Sequence, residues 1–290
     1  MLALAAATSA QLGFATAALN QQPYFEPTSS KLSAVVSAFP LGGLFGHILF
    51  IAFVPQRLDR HRHLNVACAT CAVGSAITVL SFGSWEALLL SRLLVGISSG
   101  VSASVLPAYL SGLSQAALHP LAMAVGILVA LVVTAPDFPL AASRQLWPVV
   151  FAVPLWWATL GACTISQLPQ GGSLSALAIG ARESVHDGLA APQLSNVDCV
   201  RPLWRVAAAA FLLFGVQFTS VEALFYYSSM VFERANIEGA SFVTQGLGAV
   251  HVLSTLSSLY IPTRYFTREL LIFSYCVLAT AQVLLGTPPV

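Results

Sequence analysis

The chain has 290 residues with 12 lysines and arginines and 11 aspartates and glutamates, so an ionisable side chain inside an apolar stretch stands out. Arg92 opens SRLLVGISSGVSASVLPAYLSGLSQ, Glu222 sits in LLFGVQFTSVEALFYYSSMVFERA and His251 in GAVHVLSTLSSLY. A group of this kind must find a partner, reach water or serve a function. Glu222 and His251 can also take up protons, which would make any site they share depend on pH. Beside them stand Thr16, Asn20 and Gln217, whose hydroxyl and amide groups both donate and accept hydrogen bonds. Catalytic patterns are missing. The sequence has no HExxH, no GxSxG and no facing pair of carboxylates at helical spacing, so an enzyme is not indicated. Cys68 and Cys71 make a CxxC inside VACATCAVGSA, with no second pair or histidine at metal-site spacing, and read as buried thiols. No cofactor and no metal are called for.

The elements that must position these residues follow from composition. Hydrophobic residues make up 57% of the chain and charged ones 8%, with a mean hydropathy of +0.81, whereas soluble domains carry about 25% charged residues. This is an all-helical integral membrane protein. Its arginines are scattered over short loops, which argues against a nucleic-acid partner. Counting about 20 apolar residues per crossing gives nine spans: Leu2 to Leu19, Leu32 to Val54, Asn65 to Phe82, Trp85 to Leu110, Leu121 to Val133, Trp147 to Leu168, Leu203 to Tyr227, Ala240 to Ile261 and Leu270 to Leu285. The alanine-rich start lacks a basic residue ahead of it and reads as a first span rather than a secretory signal. In the fourth span, Gly96, Gly100 and Ser104 recur every four residues and offer one helix face to a closely approaching neighbour.

With the amino terminus inside, Arg57, Arg60, Arg62, Arg182, Arg201, Arg205, Arg264 and Arg268 fall on the cytoplasmic side, against Lys31, Arg144 and Arg234 outside. That is the bias expected of cytoplasmic loops. The long polar stretch from Leu168 to Arg201 separates six spans from three, and RLDRHRH and TRYFTRE are arginine loops at corresponding places in the two parts.

RLLVG with Gly100 and PAYLSGLSQ resembles the fourth helix of the sugar porters, the facilitative hexose transporters of the major facilitator superfamily. GFATAALNQQ is similar to that family's first-helix segment, and Phe225, Tyr226, Tyr227 and Ser228 match its FYYS outright. The resemblance implies that Thr16, Asn20, Gln217, Glu222 and His251 bind a sugar. It implies that Arg57, Arg60, Arg264 and Arg268 belong to latching loops, that Tyr226 and Tyr227 form an outer gate, and that Arg92, Pro107 and Tyr109 serve conformational change. Departures are plain: Gly112 and Gln115 replace an acid and a proline, Val216 a glutamine, Glu222 an asparagine and Ile127 another glutamine. With so few acidic partners, topogenic arginines and a working latch both fit Arg57 and Arg60.

The expected architecture is a complete amino-terminal six-helix bundle (1–168), a cytoplasmic linker (169–201) and a partial carboxy-terminal bundle (202–290), diverged and truncated after about the ninth helix. The expected function is facilitated diffusion of a hexose or related polyol by alternating access. The alternative is a truncated, non-transporting relative acting as an assembly or regulatory partner, or without activity. Expected partners are the sugar, the lipid bilayer and, where another chain completes the wall, a homo- or hetero-oligomer. The plasma membrane is the expected location.

Overall fold

A computed structural model of the chain describes residues 2–21, 30–53, 60–81, 84–112, 118–139, 147–151, 153, 204, 207, 210–211, 214–215, 221–260 and 263–286. Among them are eight α-helices: α1 (Leu2–Ala17), α2 (Ser30–Phe53), α3 (Arg60–Leu80), α4 (Trp85–Gly112), α5 (Leu118–Val133), α6 (Val221–Arg234), α7 (Ala240–Tyr260) and α8 (Thr263–Gly286). A short 3-10 turn, Trp147–Phe151, lies between α5 and α6 in sequence. Helices are what a membrane demands, because every backbone group must be satisfied within its own segment. Their surfaces agree. From α2, Leu41, Leu44, Phe45, Ile48 and Leu49 all face outward, as do Phe242, Val250 and Leu253 from α7.

Backbones meet through glycine. A Cβ on Gly96 or Gly100 of α4 would overlap the carbonyl oxygens of Phe39 and Gly43 on α2, and one on Gly42 or Gly46 would overlap those of Leu93 and Ile97. The fourth-span stripe is thus half of a two-sided seam in which α2 and α4 run parallel. Between α1 and α5, also parallel, Gly13 lies against the backbone of Met123 and Gly126 against Ala10, with Ser9 and His119 hydrogen-bonded at 2.8 Å. Antiparallel to α4 runs α3, joined to it by Ser98 Oγ donating to Ala67 O at 2.6 Å and by the hydroxyls of Thr78 and Ser91. Alternating directions along the chain are what serial crossing of a bilayer produces.

Several boundaries differ from the sequence-based expectation. The fifth helix starts at Leu118, not Leu121, since Pro120 is tolerated in a first turn. Its 16 residues span about 24 Å. Within RLDRHRH, Arg60, His61, Arg62 and His63 already belong to α3. The TRYFTRE segment is not a loop, because α8 begins at Thr263, directly after Pro262, and contains Arg264 and Arg268. This also moves the start of the ninth span back from Leu270. Finally, α6 continues beyond Tyr227 to Arg234. It stops in a left-handed turn at Asn236 (φ 53°), with the Asn236 and Ile237 amides donating back to Glu233 and Phe232 carbonyls at 3.0 Å. Most of the sixth span and the whole 169–201 linker lie outside the described residues.

Candidate functional site

Arg92 stands in the second turn of α4, flanked by Ser91 and Val95, which are also buried, and retains 2% of its surface. A guanidinium so placed needs acceptors. Its Nη1 donates to the carbonyl of Ala15 on α1 at 2.6 Å, and its Cζ lies 4.8 Å from the ring centroid of Phe39 on α2, a cation–π contact. Ala15, Phe39, Cys71 of α3 and Val95 of α4 form one buried cluster, and Tyr226 of α6 packs onto it. Five helices from both ends of the sequence therefore converge on Arg92. On α3, Cys71 receives the amide of Gln11 from α1, so the thiols at Cys68 and Cys71 are buried, free and engaged in packing.

One turn beyond Ala15, the end of α1 is tied to α6. Asn20 Nδ2 donates to Ser228 Oγ at 2.7 Å. In return its Oδ1 accepts from the Ser229 amide at 3.1 Å and the Ser229 hydroxyl at 3.0 Å. That hydroxyl also reaches the Asn20 carbonyl. Gln21 Oε1 accepts from Ser241 Oγ of α7 at 2.8 Å. Asn20 is 7% exposed and Ser228 fully buried. This is a polar clasp inside an apolar protein, made of neutral groups that can trade partners without leaving a charge stranded.

The remaining expected residues fall in different places. Thr16 is buried and its hydroxyl donates to Leu12 O at 3.0 Å, within its own helix. His251 of α7 is half-buried, its ring tilted against Phe225 with centroids 5.0 Å apart. Glu222 is exposed in the first turn of α6, and among the described residues no hydrogen bond joins it to His251. Tyr226 and Tyr227 are neighbours at 6.4 Å, one turned to the Arg92 cluster and both packed on the larger core around Phe14 and Ile127. Pro107 and Tyr109 lie on α4, Arg60 on α3, and Arg264 and Arg268 on α8. Gln217 and Arg57 lie outside the described residues. Sequence reasoning did not mark Ser229, Gln21, Ser241 or Phe39 as site residues. The paired serines after the two tyrosines were a usable signal, since a hydroxyl pair in a helix that also carries aromatics needs acceptors somewhere.

Residues 2–171 and 186–290 match the model of a family described as sugar (and other) transporter. The facilitated glucose transporter member 5 of Equus caballus is 30% identical over 292 residues, covering 85% of this chain and 57% of that protein. The facilitated glucose transporter protein 1 of Caenorhabditis elegans is 23% identical, covering 79% of this chain and 52% of that one. The chain thus spans just over half the length of the curated relatives it matches. Among solved structures, a D-xylose-proton symporter superposes with a TM-score of 0.66 at 19% identity, covering 89% of this chain and 67% of the other. The xylose transporter XylE from E. coli, in an inward open conformation, gives 0.62 at 16% identity, covering 90% and 68%. These two likenesses concern the fold.

Proposed function

The chain belongs to the sugar (and other) transporter family of multi-pass integral membrane proteins, and from that premise we propose that it carries a hexose or related polyol across the membrane by facilitated diffusion, through alternating access. The supporting observation is the clasp between Asn20 and Ser228–Ser229. It joins the first helix to a helix more than two hundred residues away, lies one turn beyond the buried cluster at Arg92, and consists of hydrogen bonds that separate more readily than close-packed glycine seams. Rocking of two bundles around a midplane site needs such a parting surface. In this proposal residues 1–168 form one bundle, 202–290 part of the other and 169–201 the linker. The amino terminus is cytoplasmic, the plasma membrane is the location, and Tyr226 and Tyr227 move with the gate.

Uptake of radiolabelled hexoses by liposomes containing the chain tests the reading. Saturable, stereoselective uptake is expected, and Asn20→Ala is expected to change its rate while leaving the fold intact. Liposomes that admit no sugar above protein-free controls would leave the family's fold in place and remove the carrier activity.

A further inference from the structure

Beside the clasp, the hydrogen bonding between α1 and α7 is incomplete. Just past α1, the Oε1 of Gln21 accepts from Ser241 of α7 at 2.8 Å, while its Nε2, also buried, has no partner among the described residues. Thr244 lies three residues beyond Ser241 on the same face of α7, is fully buried, and its hydroxyl is unpartnered too. Threonines elsewhere in the chain behave differently. Thr16, Thr70, Thr78, Thr134, Thr255 and Thr280 each donate to the carbonyl four residues back in their own helices. Thr244 has the carbonyl of Ala240 at that position and does not use it. A valine would leave nothing unpaired here, and a buried polar group left alone costs stability.

An amide donor and a hydroxyl able to donate or accept suit a guest that does both, and a hydroxyl is the smallest such guest. Gln21, Ser241 and Thr244 are all neutral, so an ion among them would gain no opposite charge to offset its desolvation. We propose that Gln21 and Thr244 form a subsite for one hydroxyl of the transported sugar, the Gln21 amide donating to it and the Thr244 hydroxyl completing its hydrogen bonds. The inference rests on the carrier reading, because the subsite is sealed in this conformation and a solute enters only when α7 parts from the end of α1. The Gln21–Ser241 bond joins the same end of α1 as the clasp, so one movement undoes both. Unpaired in the empty, sealed chain, the two groups cost stability; with a sugar held between them they are satisfied.

Thr244→Val removes the hydroxyl and keeps the shape, so it separates binding from packing. Radiolabelled D-glucose and D-fructose are titrated onto the full chain in nanodiscs, and thermal unfolding of the sugar-free chain is followed in parallel. Affinity for the hexose that binds more tightly is expected to fall about tenfold. The unfolding temperature is expected to equal or exceed that of the unaltered chain, because no formed hydrogen bond is lost. Thr244→Ser is expected to restore the affinity to within about twofold, and Thr255→Val, whose hydroxyl is bonded within its own helix, to leave it there. Among singly deoxygenated analogues of that hexose, one is expected to lose affinity on the unaltered chain and not on Thr244→Val. Affinity that stays within about twofold in Thr244→Val, or equal losses across the analogues in both chains, overturns the subsite, since the two groups then serve at most a trapped water. So does an affinity that falls together with the unfolding temperature and is not restored by serine. If Thr244→Val does not fold, Gln21→Met removes the amide instead: a fall of about tenfold supports the subsite and an unchanged affinity refutes it. Liposome uptake keeps the two readings apart. An unaltered chain that neither binds nor carries a hexose loses the carrier reading and the subsite together, whereas one that carries hexose with undiminished affinity in Thr244→Val loses the subsite alone.

Discussion

The contacts of α4 with α2 and those of α1 with α6 use opposite chemistry for joining helices in lipid. In the first, glycines bring backbones together so closely that no Cβ fits, as at Gly42, Gly46, Gly96 and Gly100. In the second, Asn20, Ser228 and Ser229 hold the helices by side-chain hydrogen bonds. Dispersion at short range is lost all at once when a backbone shifts, whereas hydroxyls and amides find water or one another again after parting. The difference separates what must stay together from what is free to move.

The sharpest way to break the comparison is to add one methyl group to the seam. Gly96→Ala places a Cβ against the Phe39 carbonyl and the backbone of Gly42, and overpacking of this kind costs about 1–3 kcal/mol. A clearly lower thermal unfolding temperature in detergent is expected. Gly246→Ala on α7 is the control, since nothing lies within 4 Å of its added methyl, and it is expected to be neutral or slightly stabilising because alanine favours the helix by up to about 1 kcal/mol. Equal loss in both variants would remove the distinction between seam and open face.

Next in size is the clasp. Asn20→Ala removes the bonds to Ser228 and Ser229 but strands only neutral groups, two hydroxyls and the Ser229 amide, so about 1–2 kcal/mol of stability is expected to be lost. The diagnostic is the combination with transport: a seam variant loses stability first, and the clasp variant is expected to alter uptake at temperatures where it remains folded. Uptake that tracks stability alone in both variants would make the clasp ordinary packing.

How much of this was visible in the sequence follows the same division. The spacing of Gly96, Gly100 and Ser104 shows a close-packing face, because helical period is a property of one segment. That its partner is Gly42 and Gly46 needed the fold, since several helices carry glycines. Arg92 announced itself by charge in an apolar run, but its acceptor is the main chain at Ala15, and a carbonyl leaves no mark in a sequence. Asn20, expected to hold solute, is hydrogen-bonded to serines of α6 in this conformation, partners that its own segment does not reveal. The TRYFTRE segment looked like a loop because it is polar, yet polarity at a membrane surface is compatible with a helix, and Pro262 directly precedes the first turn.

A smaller effect sharpens the boundary between bonds inside the fixed part and bonds across the parting surface. Ser98 Oγ donates to the Ala67 carbonyl at 2.6 Å, crossing from α4 to α3 in the same way as the clasp crosses from α1 to α6. Ser98→Ala leaves a carbonyl that still has its helical donor, so the loss is expected near 0.6 kcal/mol, the average for such bonds in membrane proteins. Because α3 and α4 are consecutive antiparallel helices that also meet closely where Gly74 lies against Ser91, Leu94 and Val95, their contact persists whether or not the hydroxyl is present. The uptake rate of Ser98→Ala is therefore expected to stay within about twofold of the unaltered chain, well inside the equivalent of 1.4 kcal/mol. Glu222→Gln is expected to do less still: its side chain is exposed and, among the described residues, is not hydrogen-bonded to His251, so the dependence of uptake on pH between mildly acidic and alkaline conditions should be unchanged by the substitution. A pH profile that flattens in Glu222→Gln would show that the carboxylate joins the path in another conformation, and would extend the mobile surface from the clasp to the first turn of α6.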